Sequence, residues 1–174
     1  TLEKENHFGV TLVGVNLQVR AGEVVGIAGV SGNGQRELLF ALSGEDIRAQ
    51  ADAIQLEGRA IGQIGPTERR QAGLHFVPEE RLGRGAVPSL SLAQNMLLTR
   101  SEAISPSGWI HTHILQEQAQ KIIQQFNVKA NGPQAPAQSL SGGNLQKFIV
   151  GREIDAQPKV LLVSQPTWGV DVGA

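Results

Sequence analysis

The sequence predicts an α/β domain organised around a parallel sheet, and three observations carry that class. The apolar run Val24-Val25-Gly26-Ile27-Ala28 feeds a glycine cluster and then a helix-like segment, the strand, loop and helix order of α/β proteins. The run Val160-Leu161-Leu162-Val163 is apolar throughout, the pattern of a strand buried on both faces of a parallel sheet. Glycine supplies 21 of 174 residues with no triplet period and no Ser/Pro-rich linker, which assigns the glycines to specific loops.

Taken in order, Val15, Leu17 and Val19 alternate with polar residues and predict a half-buried strand, and Ala21-Gly22 turns the chain into the buried strand at 24–28. Leu38, Leu39, Ala41 and Leu42 suit a helix packed on the sheet and closed by Ser43-Gly44. Ile54 and Leu56, followed by Gly58-Arg59 and Ile61, have the pattern of a hairpin. Leu74-His75-Phe76-Val77 reads as a short strand ended by Pro78. Leu115, Ala119, Ile122 and Phe126 recur by four, three and four, which puts them on one helical face. Asn131 to Gln138 is a loop broken by glycine and proline, after which Leu145, Phe148, Ile149 and Arg152 predict a helix beginning near Ser141. The sequence contains no internal repeat and no low-complexity tract.

Composition narrows the function. Lys plus Arg number 15 against 16 Asp plus Glu, a formal net charge of -1, which argues against nucleic-acid wrapping by bulk charge. With 40% hydrophobic residues the chain can bury a core, yet no apolar run approaches the roughly 20 residues that cross a bilayer. The absence of cysteine excludes disulfides, thiolate catalysis and Cys-ligated zinc; with no basic-then-apolar leader, a cytosolic setting is expected. His7, His75, His111 and His113 lack metal-ligand spacing beyond the lone pair at 111 and 113, so they read as surface or packing residues.

Three segments point to phosphate. In Gly29-Val30-Ser31-Gly32-Asn33-Gly34-Gln35-Arg36 the glycines match G-x-x-x-x-G, where backbone N–H groups cradle phosphate at a helix start. Gln35 stands where the phosphate-binding lysine belongs, and Arg36 where the Ser/Thr magnesium ligand belongs. Loss of the ammonium removes charge-assisted bonds worth roughly 1.5–3 kcal/mol, about ten- to a hundredfold in affinity. Arg36 has no acceptor atom and cannot ligate a cation. Either the loop still takes phosphate, or its glycines serve only close packing. The second segment is Leu140-Ser141-Gly142-Gly143-Asn144-Leu145-Gln146-Lys147, where a serine and two glycines at a helix start present N–H groups and the positive dipole end to an anion. The third, Ser164-Gln165-Pro166-Thr167, follows the VLLV strand.

In this order, LSGGNLQK resembles the signature motif of ABC ATPases, and VLLV with SQPTWGVD resembles their Walker B and D-loop segment. The resemblance implies a P-loop NTPase core of the ABC ATPase type with a helical subdomain, C-terminally truncated. The family carries Asp-Glu-Pro-Thr where this chain has Ser164-Gln165-Pro166-Thr167. The aspartate helps hold magnesium and the glutamate orients or deprotonates the attacking water. Ser164 is a weak hydroxyl ligand, and Gln165 cannot accept a proton at neutral pH. Four losses at one site point to a site that does not hydrolyse, so no residue here is assigned as catalytic or as a metal ligand. The family's Q-loop glutamine falls on Glu79, in Val77-Pro78-Glu79-Glu80-Arg81, where a solvated charged loop is favoured over a catalytic role. His7 or Phe8 corresponds loosely to the adenine-stacking aromatic, with ordinary packing favoured.

GVSGNGQREL, FVPEER, LSGGNLQK and SQPTWGVDVGA together resemble the second, degenerate nucleotide-binding domain of bacterial importers for simple sugars and nucleosides, and the Ser-Gln pair leans toward the nucleoside branch. Several expectations follow from that likeness. The chain is one incomplete domain over residues 1–174, with a core at about 1–80 and 140–174 and a helical subdomain at about 81–139 that meets the membrane permease. Gly29, Ser31, Gly32, Asn33, Gly34, Gln35 and Arg36 form a degenerate site that holds ATP weakly. Ser141, Gly142, Gly143 and Asn144 complete, in trans, the site of a companion ATPase domain in the same parent polypeptide, and Mg2+ belongs to that partner site only. Asp171 lies in the D-loop at the contact between halves. The chain is expected to sit peripherally on the cytoplasmic face of the membrane, without a nucleic-acid partner. Because family members continue beyond the D-loop with further strands and a switch histidine, marginal stability or self-association is expected. Two other functions compete: a structural or regulatory domain that no longer binds nucleotide, and a soluble ABC ATPase of DNA repair or translation, which near-neutral charge and missing coiled-coil heptads disfavour.

Overall fold

The computed structural model describes residues 1–4, 9–100 and 110–167. The chain forms two compact units, Thr1–Leu74 and His75–Ala174. In the first unit, Leu2 and Leu12 exchange backbone hydrogen bonds at 2.9 Å and bury Leu2 with Ala41 and Ala49. Helix α1 (Gln35–Ser43) ends where anticipated, on Gly44 at φ 87, whose N–H donates to Phe40 O. The hairpin is also present: β1 (Gln55–Leu56) pairs antiparallel with β2 (Arg59–Ala60) around Glu57 and Gly58 at φ 50 and 79, a type I′ turn.

Helix α2 (Pro66–Ala72) carries the first unit's buried cation. The fully buried Arg69 guanidinium donates to the carbonyls of Ala41 and Leu42, in the last turn of α1, and to Ile64 and Gly62. Those α1 carbonyls have no partner within their own helix, and a cation placed there also meets the negative end of the helix dipole. Burial holds the Arg69 pKa below its ordinary value.

In the second unit, β3 (Leu74–Val77) pairs with β4 (Val160–Val163), and the short α3 (Leu92–Asn95) opens with a capping box between Ser91 and Gln94. Helix α4 (Thr112–Gln125) buries Leu115, Ala119, Ile122 and Ile123, three of them from the anticipated stripe, with Phe126 half-buried at its end. They pack with Leu145, Phe148 and Ile149 of α5 (Gly142–Asp155), which begins next to Ser141 as expected, and with Val77, Leu92 and Met96. Gly151 packs tightly against the end of α4: a Cβ there would stand 2.6 Å from Phe126 Cδ2 and 2.9 Å from Ile122 Cγ2.

Three strand expectations are corrected. Residues 13–31 include the Ala21-Gly22 turn, closed by Glu23 N–H to Arg20 O at 3.0 Å, but form no strand. Val15, Leu17 and Val19 are exposed, and Val24 is 97% exposed. An apolar run becomes a strand only when neighbours satisfy its N–H and C=O groups, and none does so here among the described residues. β4 is half-buried along its length rather than covered on both faces, because β3 is its only paired neighbour among the described residues.

Candidate functional site

The anticipated site residues fall into two parts: a glycine loop ahead of α1 in the first unit, and the strand ends and α5 tip of the second. In the loop, Gly34 sits at φ 94, and a Cβ there would lie 2.9 Å from Leu12 Cδ2, so both backbone and packing require glycine. Gln35 folds its side chain back across the loop: Oε1 accepts from Asn33 N–H at 3.1 Å, while Nε2 donates to Val30 O at 3.0 Å. Asn33 Nδ2 donates to the same carbonyl at 3.0 Å. A Cβ on Gly29 would stand 2.5 Å from Gln35 Nε2, so glycine at 29 makes room for this amide. The carboxamide therefore bridges the loop and engages one of its backbone donors. Ser31 and Gly32 are exposed, and Arg36 turns along the helix to place its guanidinium 5.0 Å from the Phe40 ring centroid.

In the second unit Ser164 N–H donates to Val77 O at 2.9 Å, which sets the carboxyl ends of β3 and β4 side by side. Ligands of open α/β sheets bind beyond such ends. The structure thus brings Glu79, exposed just after β3, to the same end of the sheet as buried Ser164 and exposed Gln165, which sits at φ 46. A hydroxyl and a carboxamide do not match the carboxylate set that holds magnesium, and among the described residues no group of three or more His, Cys, Asp or Glu could hold a metal. Glu80 pairs with Arg84 at 3.0 Å, and Arg81 Nε donates to buried Gln146 Oε1 at 3.1 Å.

At the α5 tip, Ser141 occupies the N-cap position with extended backbone (φ -62, ψ 155), yet its side chain caps no backbone amide. Its Oγ instead accepts from Asn144 Nδ2 at 2.8 Å, and Asn144 Oδ1 accepts from Lys129 N–H at 2.8 Å. The first-turn N–H groups of Gly142, Gly143 and Asn144 are therefore left uncapped by the serine, at the positive end of a 14-residue helix.

Sequence reasoning missed a buried polar chain at the other end of α5. His75 Nδ1 lies 3.1 Å from Glu153 Oε2, and Glu153 Oε1 accepts from Arg152 Nε at 3.0 Å. Arg152 also donates to Asn95 O at 3.0 Å and Gly85 O at 2.9 Å. His75 is thus a buried, paired residue. Arg152, in helical register with Leu145, Phe148 and Ile149, and adjacent Glu153 were the available signal. Asp155 closes α5: burial raises its pKa, but hydrogen bonds from Lys121 (2.8 Å) and Arg100 (2.9 Å) outweigh it and hold the carboxyl below its ordinary value. His7, Phe8 and Asp171 lie outside the described residues.

With the glycine loop, paired strand ends and serine-glycine helix tip in place, the class is defined: the chain belongs to the ABC transporter family, whose pattern it matches over residues 12–168. It is 38% identical over 173 residues to the nucleoside import ATP-binding protein NupA of Lactococcus lactis subsp. cremoris, covering 98% of this chain and 34% of that protein. It is 38% identical over 166 residues to the guanosine import ATP-binding protein NupO of Bacillus subtilis, covering 94% of this chain and 32% of NupO. Identity to the ribose import ATP-binding protein RbsA of Halalkalibacterium halodurans is 37% over 160 residues, 92% of this chain and 32% of the relative. The chain spans about a third of each of these curated relatives. Its fold is the ABC ATPase cassette. The dimeric bacterial cassette MJ0796 superposes with TM-score 0.70 at 20% identity, over 91% of this chain and 67% of that one. The cassette MJ1267 superposes with TM-score 0.69 at 23% identity, over 90% and 63%. No described helix is long and apolar enough to cross a membrane.

Proposed function

We propose that this chain is the second, degenerate nucleotide-binding domain of an ATP-binding importer subunit for nucleosides or simple sugars. In this reading its core covers about 1–80 and 140–174, and residues about 81–139 form the helical subdomain that meets the permease. The subunit lies peripherally on the cytoplasmic face of the membrane, and a companion ATPase domain precedes this one in the parent polypeptide. The likeness to the import ATP-binding proteins NupA, NupO and RbsA supports the importer class.

One observation carries the degenerate reading: Gln35 spans its own phosphate loop and takes up the Asn33 N–H. A phosphate entering that loop must displace the amide and finds no lysine ammonium in return. At the strand ends Ser164 and Gln165 offer no carboxylate for Mg2+ or for proton abstraction, so bound ATP is not hydrolysed there. The α5 tip keeps the donors suited to an anion, and Ser141, Gly142, Gly143 and Asn144 serve the companion's Mg-ATP in trans. ATP and Mg2+ supply the hydrolytic chemistry at that partner site. Asp171 belongs to the D-loop at the contact between the two halves.

Titration calorimetry with ATP and ADP tests this. Weak saturable binding without turnover by the chain alone is expected; steady-state hydrolysis by the chain, abolished by Gln165→Ala, would overturn it. The bridged loop also favours a second reading, a structural or regulatory domain with nucleotide binding lost, which absence of heat at millimolar nucleotide would select.

A further inference from the structure

We propose that Asn144 is a positioning residue that fixes the polarity of the Ser141 hydroxyl, so that its O–H points outward as a donor to an anionic oxygen brought by the companion domain. The inference rests on the trans reading of the α5 tip and deepens it.

The geometry sets the polarity in two steps. Lys129 N–H, a backbone group, can only donate, and it lies 2.8 Å from Asn144 Oδ1, so that end of the amide is oxygen. The other end is then NH2, which stands 2.8 Å from Ser141 Oγ and donates to it. With a lone pair of Oγ occupied, the hydroxyl proton remains available to a ligand. A serine at the N-cap ordinarily spends its oxygen on an N2 or N3 amide. Here the N3 side chain claims that oxygen, and the serine side chain caps none of the first-turn N–H groups. One asparagine thereby leaves two kinds of donor open at the tip, the serine O–H and backbone N–H. The Lys129 contact, fifteen residues away in sequence, holds Asn144 from outside its own helix. The fitting ligand is the terminal phosphate of a nucleoside triphosphate, which accepts from several donors at once.

The test uses the ATP-hydrolysing polypeptide that holds this chain with its companion domain, comparing Ser141→Ala, Asn144→Ala, Asn144→Asp and the Ser141→Ala/Asn144→Ala double variant. Circular-dichroism melts control for folding. Asn144→Ala should lower kcat about tenfold, the loss of one well-placed hydrogen bond, with little change in KM. Asn144→Asp keeps the size but draws the serine proton to itself, and should lower kcat further. The double variant should match Ser141→Ala, because Asn144 acts through that hydroxyl. Additive losses, or wild-type turnover in Asn144→Ala and Asn144→Asp beside an impaired Ser141→Ala, would overturn the positioning role and leave the trans reading standing. A neutral Ser141→Ala would overturn both.

Discussion

Gln35 is the residue whose replacement separates occupation of the loop from loss of the lysine. Its amide makes two neutral hydrogen bonds, to Asn33 N–H at 3.1 Å and Val30 O at 3.0 Å, in an exposed loop. Each is worth about 0.5–1.5 kcal/mol net of water, so an entering phosphate gives up about 1–3 kcal/mol to displace them. Gln35→Ala removes that competition and frees the Asn33 amide, and ATP affinity should rise roughly fivefold to a hundredfold. Gln35→Lys removes the same competition and adds charge-assisted bonds worth about 1.5–3 kcal/mol, for a further gain of about tenfold or more. Neither variant should hydrolyse ATP, since Ser164 and Gln165 are unchanged. Titration calorimetry on the two variants and the parent chain measures the series. Weaker binding in Gln35→Ala would refute the reasoning, because it would make the amide a ligand for nucleotide instead of its competitor.

Two further outcomes concern stability. Gly151→Ala gains about 1 kcal/mol of helix propensity but sets a methyl 2.6 Å from Phe126 Cδ2 and 2.9 Å from Ile122 Cγ2, an overpacking cost of about 1–3 kcal/mol. The net should be a loss of up to about 2 kcal/mol, read as a lower urea midpoint at unchanged slope; a higher midpoint would contradict the close α4–α5 contact. Asp155 and Asp46 have folded pKa values below the ordinary 3.8, held there by Lys121 and Arg100 in the first case and by Arg48 in the second. Their contribution is therefore complete above about pH 4 and fades as pH falls through the lower folded values, so Asp155→Asn should flatten the acid limb of a stability-against-pH curve while leaving its shape near neutrality unchanged.

What the sequence made legible was whatever depends on local chemistry. The hairpin around Gly58, the Gly44 helix end, the Pro78 strand end and the α4 stripe each follow from a few neighbouring residues, and each appears where expected. The family motifs were legible for the same reason, as short runs of defined residue type. Strand status at 24–28 was not, because a strand is a property of a pair and the apolar run says nothing of whether a neighbour is present. Arg69, Arg152 and Glu153 escaped as well. A charged residue in a helix ordinarily reads as surface, and only the fold shows that carbonyls of Ala41, Leu42, Gly62, Gly85 and Asn95 converge on these guanidinium groups.

The two helix tips carry the same kind of side chain to opposite effect. Gln35, the first residue of α1, reaches back far enough for its carbonyl end to meet a loop N–H. Asn144, in the first turn of α5, is shorter by one methylene, and its carbonyl end is already held by Lys129, so only its NH2 end can face the tip. An amide that presents oxygen to a helix start consumes a donor; one that presents nitrogen consumes an acceptor. The first arrangement fills an anion cradle and the second keeps one open. In the proposed reading, the orientation of two carboxamides, more than the count of glycines, underlies the difference between the chain's own loop and the tip that serves a companion, and exchanging the amide for a carboxylate at either position should reduce anion binding by charge repulsion.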